Sequence, residues 1–379
     1  MNFHSLLKRG VRIALRAKVN DSLIVGLRII DSILPVGRGQ RQLILGDRYT
    51  GKTSIFLSLL IKINSLNIVG NVDSFGTKRI FGLYIGINVN LSKLTKIISE
   101  LSLILWYTLI LSSHSSSSSL LSFLLPYIGV SISERLRDRG IDSTISFDDF
   151  SKHSKAYRQI SLILAKIPSR DAYPADIFNI HSSLLERCSK LKYSYFGGSI
   201  TAFPIIETIN SDITEYIATN VISITDGQFY TSKKLFLDSC RPSIDSSLSV
   251  SRIGSNAQCK LVKMCSIGIK NELTNYRNME LSQTSILYYK LVSLNLIFFQ
   301  DHLFVSSIET TVVLLIYYRN GIHFNNYLEI NTLLYQLGSE LIYFYYIIFI
   351  TKSSYSHQLY FLLAVFIMDL STFYLLSHH

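Results

Sequence analysis

Residues 46–53 read GDRYTGKT and fill every fixed position of the pattern G-x-x-x-x-G-K-[ST]. The run RQLILGD (41–47) is apolar and unbroken, which predicts a buried strand, and TSIFLSLLIKI (53–63) predicts a helix after the turn. Strand, glycine turn and helix in that order make an anion cradle. Gly46 and Gly51 let the backbone curl so that successive N–H groups face inward, and the positive end of the helix adds to the field. Asp47, Arg48, Tyr49 and Thr50 complete the loop. Lys52 is expected to reach the β- and γ-phosphates of ATP or ADP, and Thr53 to place its hydroxyl on Mg2+. Such a loop commits the chain around it to an α/β fold with a parallel sheet and helices on both faces.

A loop of this kind needs an acid on a neighbouring strand to hold the hydrated metal. Asp148, with Asp149 beside it, ends the apolar run Ile145-Ser146-Phe147 and suits that role. Further buried strands are predicted over 79–88 and 103–113, another over 143–152, and a β-branched strand within 215–230 with a turn at Asp226-Gly227. SSHSSSSSLL (112–121) reads as a loop ahead of an apolar helix that breaks at Pro126. Three regions follow: a basic arm (1–22), the nucleotide-binding domain (23–262) and a helical domain (263–379), poor in Gly and Pro.

The chain has 379 residues, 48% of them hydrophobic and 17% charged, enough for two or three domains with large cores. Its net charge of +11 is spread along the sequence, and no zinc finger, basic heptad or RNA-binding aromatic motif accompanies it, so phosphate rather than nucleic acid is the expected partner. Cys188, Cys240, Cys259 and Cys265 form no C-x-x-C pair, which argues against a disulfide framework or zinc site and for a reducing compartment. Abundant Ile, Leu, Tyr, Phe, Ser and Asn with little Ala or Pro is the bias of an AT-rich organellar genome. The first twenty residues carry five basic side chains and no acid, as a transit peptide does, and are read here as a retained basic arm. LIYFYYIIFI (341–350) and LYFLLAVFIMDLSTFYLL (359–376) are read as buried bundle helices: the first is too short to span a membrane and the second carries Asp369 in its middle.

Whether the site breaks a phosphate bond turns on a missing residue. RecA-like ATPases place a carboxylate at the end of the strand that follows the phosphate-loop helix, where it polarises the attacking water. Here that strand ends YIGINVN, with Ile87 and Asn88 where the acid would stand, and neither accepts a proton from water near neutral pH. Binding without turnover is the expectation. A self-sufficient RecA-like motor ATPase, such as a secretion or nucleic-acid translocase, is the alternative and would need that carboxylate. A structural remnant that binds nothing is a third reading, opposed by the intact loop and Asp148.

Nearly the whole chain resembles the alpha subunits of F-type ATP synthases. GDRYTGKT has the alpha form of the loop, and LRIIDSILPVGRGQRQLILGD (27–47), ERLRDRG (134–140), DDFSKHSKAYRQISLIL (148–164), AYPADIFNIHSSLLERCSK (172–190), FPIIET (203–208), TNVISITDGQ (219–228) and RPSIDSSLSVSRIGSNAQ (241–258) read likewise. The resemblance is strongest over 23–265. It implies a RecA-like domain followed by an α-helical bundle, in a subunit that alternates with beta subunits in a hexameric ring around a gamma shaft and meets peripheral-stalk subunits. It also implies a matrix-facing place at the mitochondrial inner membrane. Alpha holds Mg-nucleotide without turnover and reaches across the interface with an arginine, here Arg252, that completes the beta site. Ser249 corresponds to a serine needed for activity, Arg241 and Pro242 to the adenine pocket, and Gln300 to one of its glutamines, with His302 where another would stand.

The departures are specific. The family's Gln-Lys is replaced by Ile87-Asn88, which puts nucleotide occupancy in question, and Ala175 replaces a usual glycine. The match starts only at residue 23, so the crown-forming β-barrel is expected to be missing: another polypeptide supplies it, or the ring is built differently.

Overall fold

The computed structural model describes residues 6, 8, 10–69, 79–278, 286–321, 324, 329 and 330. They fall into two compact units, 1–280 with 298–308, and 281–297 with 309–379. The apolar runs over 341–350 and 359–376 lie outside the described residues.

The first unit opens with a two-stranded antiparallel pair, β1 (Ser22–Leu23) and β2 (Val36–Gly37), bracketing helix α1 (Arg28–Ile33). Among the described residues its main sheet has seven strands: β3 (Gln42–Gly46), β4 (Ile80–Val89), β5 (Thr108–His114), β6 (Asp142–Asp148), β7 (Ile200–Glu207), β8 (Gly227–Thr231) and β9 (Ile244–Ser251). Their order is β5-β4-β6-β7-β3-β8-β9, all pairings parallel except β8 with β9. The connecting helices are α2 (Lys52–Val69), α3 (Leu91–Leu101), α4 (Ser119–Arg137), α5 (Phe150–Ile163), α6 (Ile177–Glu186), α7 (Tyr216–Ile224) and α8 (Lys233–Leu237). Three short helices, α9 (Gly254–Ala257), α10 (Lys260–Ser266) and α11 (Ile269–Asn278), follow β9.

Why the sequence makes this sheet is plain in β3 and β6, whose residues are all buried. A strand covered by helices on both faces has no wet side, so it is written as a continuous apolar run, or with small hydroxyl residues that a neighbour can satisfy. Leu43, Leu45, Ile85, Ile145, Phe147, Ile200 and Ala202 meet α4, α5 and α6 through Val130, Phe150 and Leu184 in one core. Helix α4 lies so close to β4 that a Cβ on Gly129 would stand 2.2 Å from Ile85 Cδ1.

Four local expectations are corrected. The segment 103–113 is not a single buried strand: Ser102–Tyr107 is a 3-10 turn, and β5 after it is an edge strand in which Ser113 alone is buried. Among the described residues it pairs only with β4, on one side of its ladder. The β-branched stretch before Asp226 is helix α7, because Ile217, Ala218 and Val221 share one buried face at helical spacing. Pro126 does not break α4, which runs on to Arg137; burial of Leu125, Tyr127, Gly129 and Val130 holds both halves in place despite the missing N–H. The serine run is also shorter as a loop than expected, since Ser118 caps α4 by accepting a bond from Leu121 N and the helix starts at Ser119.

Two resemblance-bearing stretches prove to be scaffolding. Glu134 of ERLRDRG and Arg187 of LLERC form a buried pair, Nη2 to Oε2 at 2.8 Å and Nε to Oε1 at 3.0 Å. The described part of the basic arm runs along the segment after α6, with Ala17 N donating to Lys190 O and Lys192 N to Leu15 O.

In the second unit α12 (Ile286–Phe298) buries Leu294 and Ile297, and α13 (Ile308–Arg319) buries Val312, Leu314 and Leu315. Ser293 Oγ donates to Phe324 O and accepts from Phe324 N. Among the described residues no helix is long and apolar enough to cross a membrane.

Candidate functional site

The loop after β3 is built as the sequence requires. Gly46, at φ 153°, sits so tightly against β8 that a Cβ would fall 2.1 Å from Thr231 Oγ1; Gly51 has φ 86° and Tyr49, at the exposed tip, φ 63°. Asp47 is an anchor and turns away from the cradle. Its carboxylate accepts from Thr208 Oγ1, Ser211 N and Ser211 Oγ, each at 2.8 Å. Burial would raise that carboxyl, yet these donors hold it below its ordinary value. Thr50 Oγ1 donates to Asp47 O, lies 2.7 Å from Thr231 Oγ1, and its carbonyl accepts from Ser243 Oγ. The loop is therefore pinned from β8, from the turn after β7 and from the segment ahead of β9. Arg48 stands outside it in a solvent-exposed pair with Glu207.

Lys52 begins α2 and is buried, and its ammonium caps Asp47 O at the base of the loop. Burial lowers its pKa from the ordinary lysine value against the pull of Glu207, Asp148, Asp149 and Asp47. Thr53 Oγ1 donates to Asp148 Oδ2 at 3.0 Å, so the two residues expected to hold a metal do converge. The same oxygen of Asp148 also accepts from Tyr84 Oη at 2.6 Å and from Lys93 Nζ at 2.9 Å. Burial would raise the Asp148 carboxyl, but Lys93, Tyr84 and Lys152 outweigh it and keep it below its ordinary value. A hydroxyl beside an ionised carboxylate is a fair donor set for a hard divalent cation. Here, however, the shared oxygen already accepts from three donors, one of them a cation, so as arranged it offers no open lone pair to a metal. Asp149 does different work, capping α5 through Lys152 N at 2.6 Å, with burial pushing its carboxyl up to about 6.

A cleft of about 770 Å³ opens over the loop, within the usual range for a small-molecule site. Its lining runs from Thr50–Ser54 past Lys93 and Asp148 to Arg241, Pro242 and Gln300. Arg241 lies over the Phe236 ring, 5.0 Å from its centroid, and its carbonyl accepts from Gln300 N. The side chain of Gln300 is already committed, accepting from Arg28 N and donating to Gly26 O. It shapes the wall. His302, in the same wall, lies 3.4 Å from Glu100. Ile87 is fully buried in the core, and Asn88, at φ 49°, lines the cleft with its amide oxygen held by Ser122 Oγ. No described carboxylate comes from that strand end.

Arg252 and Ser249 are elsewhere. Strand β9 runs antiparallel to β8, with Ile244 opposite Thr231 at the loop end of the sheet and Ser251 opposite Gly227 at the other. Arg252 therefore lies roughly one strand length, about 13 Å, from the start of its own phosphate loop. Its side chain is exposed and makes no hydrogen bond or ion pair to a described residue. The adjacent acid is taken: Asp226 is gripped by Arg41 through Nη2–Oδ1 at 2.7 Å and Nε–Oδ2 at 3.0 Å. Ser249 is fully buried where the β8–β9 register slips, and its hydroxyl accepts from Tyr230 N at 2.9 Å, replacing the lost ladder acceptor. Lys270 Nζ holds Ser249 O at 2.9 Å. The serine thus fixes the strand that carries residue 252.

Sequence reasoning missed Lys93, Tyr84, Thr208 and Ser211. Only Lys93 left a signal: a cation in the first turn of α3, which contains no acid, faces the wrong end of the helix dipole unless something else holds it.

Comparison with known proteins agrees with this geometry. Residues 26–251 match the nucleotide-binding domain of the ATP synthase alpha/beta family. Proteins named ATP synthase subunit alpha are similar: 45% identical over 275 residues in Carsonella ruddii, 42% over 267 in Rickettsia canadensis and 45% over 265 in Mycoplasmopsis agalactiae. These alignments take in 70% of this chain and 55%, 51% and 48% of the relatives, so the chain spans about half the length of the curated relatives it matches. With the match covering well over half of the sequence and the phosphate loop seated between strand and helix, the chain belongs to the ATP synthase alpha/beta family and is similar within it to the alpha subunits.

Proposed function

We propose that this chain is the nucleotide-holding, non-catalytic alpha-type member of the alternating ring of a rotary, proton-translocating ATP synthase. It grips ATP or ADP at residues 46–53 without breaking it and lends Arg252 to the catalytic site of a neighbouring beta-type subunit. The observation that carries the reading is Arg252 itself: exposed, at the end of the sheet remote from its own loop, with the neighbouring acid already paired to Arg41. A guanidinium so placed is available to a phosphate on another molecule, where its rigid fork of donors meets the charge that develops on a transferring phosphoryl group. The lack of turnover in the chain's own site rests on Ile87, buried where a water-polarising acid would stand. Beta subunits, a gamma shaft and peripheral-stalk subunits are the partners this role requires. The mitochondrion is the proposed setting, supported by the AT-rich compositional bias; the relatives named above are bacterial.

The test is Arg252→Ala in the assembled complex. ATP turnover should fall by about 10³-fold or more, the range for an arginine supplied in trans, while the ring still assembles. Turnover that survives in an intact ring defeats the assignment. Steady hydrolysis by the purified chain alone would favour the self-sufficient motor.

A further inference from the structure

Several cations line the cleft, Lys152 and Lys96 among them, and one is in an unexpected place. Lys52 and Arg48 belong to the loop itself. Lys93 comes from the first turn of α3, outside the loop, its Nζ 2.9 Å from Asp148 Oδ2 and 3.3 Å from Thr53 Oγ1. Those two oxygens are the donors that a divalent metal would need. They already receive a cation that is covalently part of the chain.

The arrangement is held from several sides. Tyr84 Oη donates to the same carboxylate oxygen at 2.6 Å, so this face of Asp148 turns toward Lys93 and cannot swing away without breaking a buried bond. Asp148 is 2% exposed, whereas the Lys93 side chain is 40% exposed, so the lysine's charge reaches into the cleft while its partner stays desolvated. A lysine at a helix N-terminus is disfavoured by the dipole, and α3 has no acid in its first turn to offset it. The compensating charge is Asp148, in direct contact with it.

Building on the nucleotide-binding reading above, we propose that Lys93 is a tethered substitute for the divalent cation: this site binds nucleoside di- or triphosphate without Mg2+, the Lys93 ammonium supplying the counter-charge at Thr53 and Asp148. A monovalent ammonium donates hydrogen bonds to phosphate oxygens as well as to Asp148, and it needs no octahedral shell of ligands, which a magnesium ion demands. Its cost in orientation is already met by the Asp148 and Thr53 contacts. The consequence is specific. Nucleotide affinity should be nearly indifferent to magnesium in the natural chain, and removing the ammonium should create a magnesium requirement.

The experiment measures ADP binding to the full-length chain by titration calorimetry, in excess MgCl2 and in excess EDTA, for the wild type and Lys93→Ala. Wild-type affinity should differ by less than about threefold between the two conditions. In Lys93→Ala the affinity in EDTA should fall by about tenfold or more, the loss of one charge-assisted contact, and magnesium should restore it. A second readout replaces magnesium with Mn2+ and follows its electron paramagnetic resonance with ADP present: bound Mn2+ should appear only in the variant. The inference is overturned if wild-type affinity drops tenfold in EDTA, if Lys93→Ala binds in EDTA as the wild type does, or if wild type already holds Mn2+ tightly. The wild-type comparison needs no substitution, so a folding defect in the variant cannot shelter the idea. Absence of ADP binding to wild type in both conditions overturns the nucleotide-binding reading and this inference with it, whereas strong but magnesium-dependent binding overturns this inference alone.

Discussion

At the scale of single residues, the phosphate loop separates groups that grip from groups that brace. Lys52 is the proposed grip: its ammonium is buried, its pKa is lowered by burial, and its anchor is a loop carbonyl. Replacing it by Gln should weaken ADP binding by about 10- to 100-fold, the worth of a hydrogen bond to a charged group, as read by calorimetry on the purified chain. Asp47 braces, its carboxylate spent on Thr208 and Ser211. Of the loop residues, the pattern G-x-x-x-x-G-K-[ST] made Lys52 and Thr53 legible from the sequence, because their chemistry follows from their spacing. The role of Asp47 did not follow, because its partners are more than 160 positions away in the chain.

At the scale of elements, the charged and polar contacts between helices set where the fold is vulnerable. Glu134 of α4 and Arg187, just past α6, are each 1% exposed and meet through two hydrogen bonds. Removing one partner strands the other's charge, so Glu134→Ala should cost about 3–5 kcal/mol in urea unfolding. Helices α5 and α6 also share a buried histidine pair, His153 Nδ1 lying 3.2 Å from His181 Nε2, with Phe150 stacked on His181. Burial lowers the pKa of His153 to about 4 and that of His181 well below its ordinary value. The unfolded chain therefore binds more protons than the folded one below the ordinary histidine range, and this contribution to stability is lost as pH falls from about 6.5 toward 4. Between pH 7 and 5 a His153→Gln chain should lose about 2 kcal/mol less stability than the wild type, seen in parallel denaturation curves. A variant that matched the wild type across that range would show that His153 takes up its proton alike in the folded and the unfolded chain.

At the scale of the whole first unit, the proposed function assigns the two ends of one sheet two different tasks. The parallel strands β3 and β6 carry the loop and Asp148 to their C-terminal ends, as open α/β sheets do with ligands. The antiparallel turn into β9 carries Arg252 to the other end. It follows that Arg252→Ala should leave the chain's own affinity for ADP within about twofold of wild type, since no contact to the cleft is lost, even as ring turnover fails. A marked loss of ADP binding in that variant would place residue 252 in its own site and refute the division of labour.

The sequence alone determined the phosphate loop, the parallel α/β sheet and the absence of an acid after β4, because each is written in residues that are adjacent or spaced by the period of one element. Tertiary structure decided what depends on company. It made the β-branched stretch at 216–224 a helix, left β5 at an edge, and carried α4 through Pro126, since burial against the sheet outweighs intrinsic preference when many side chains pack at once. It also brought Lys93 to Asp148 across 55 positions of sequence and set Arg252 apart from its own loop. Electrostatic interaction depends on distance in space, and chain separation carries almost no information about that until the strands have paired.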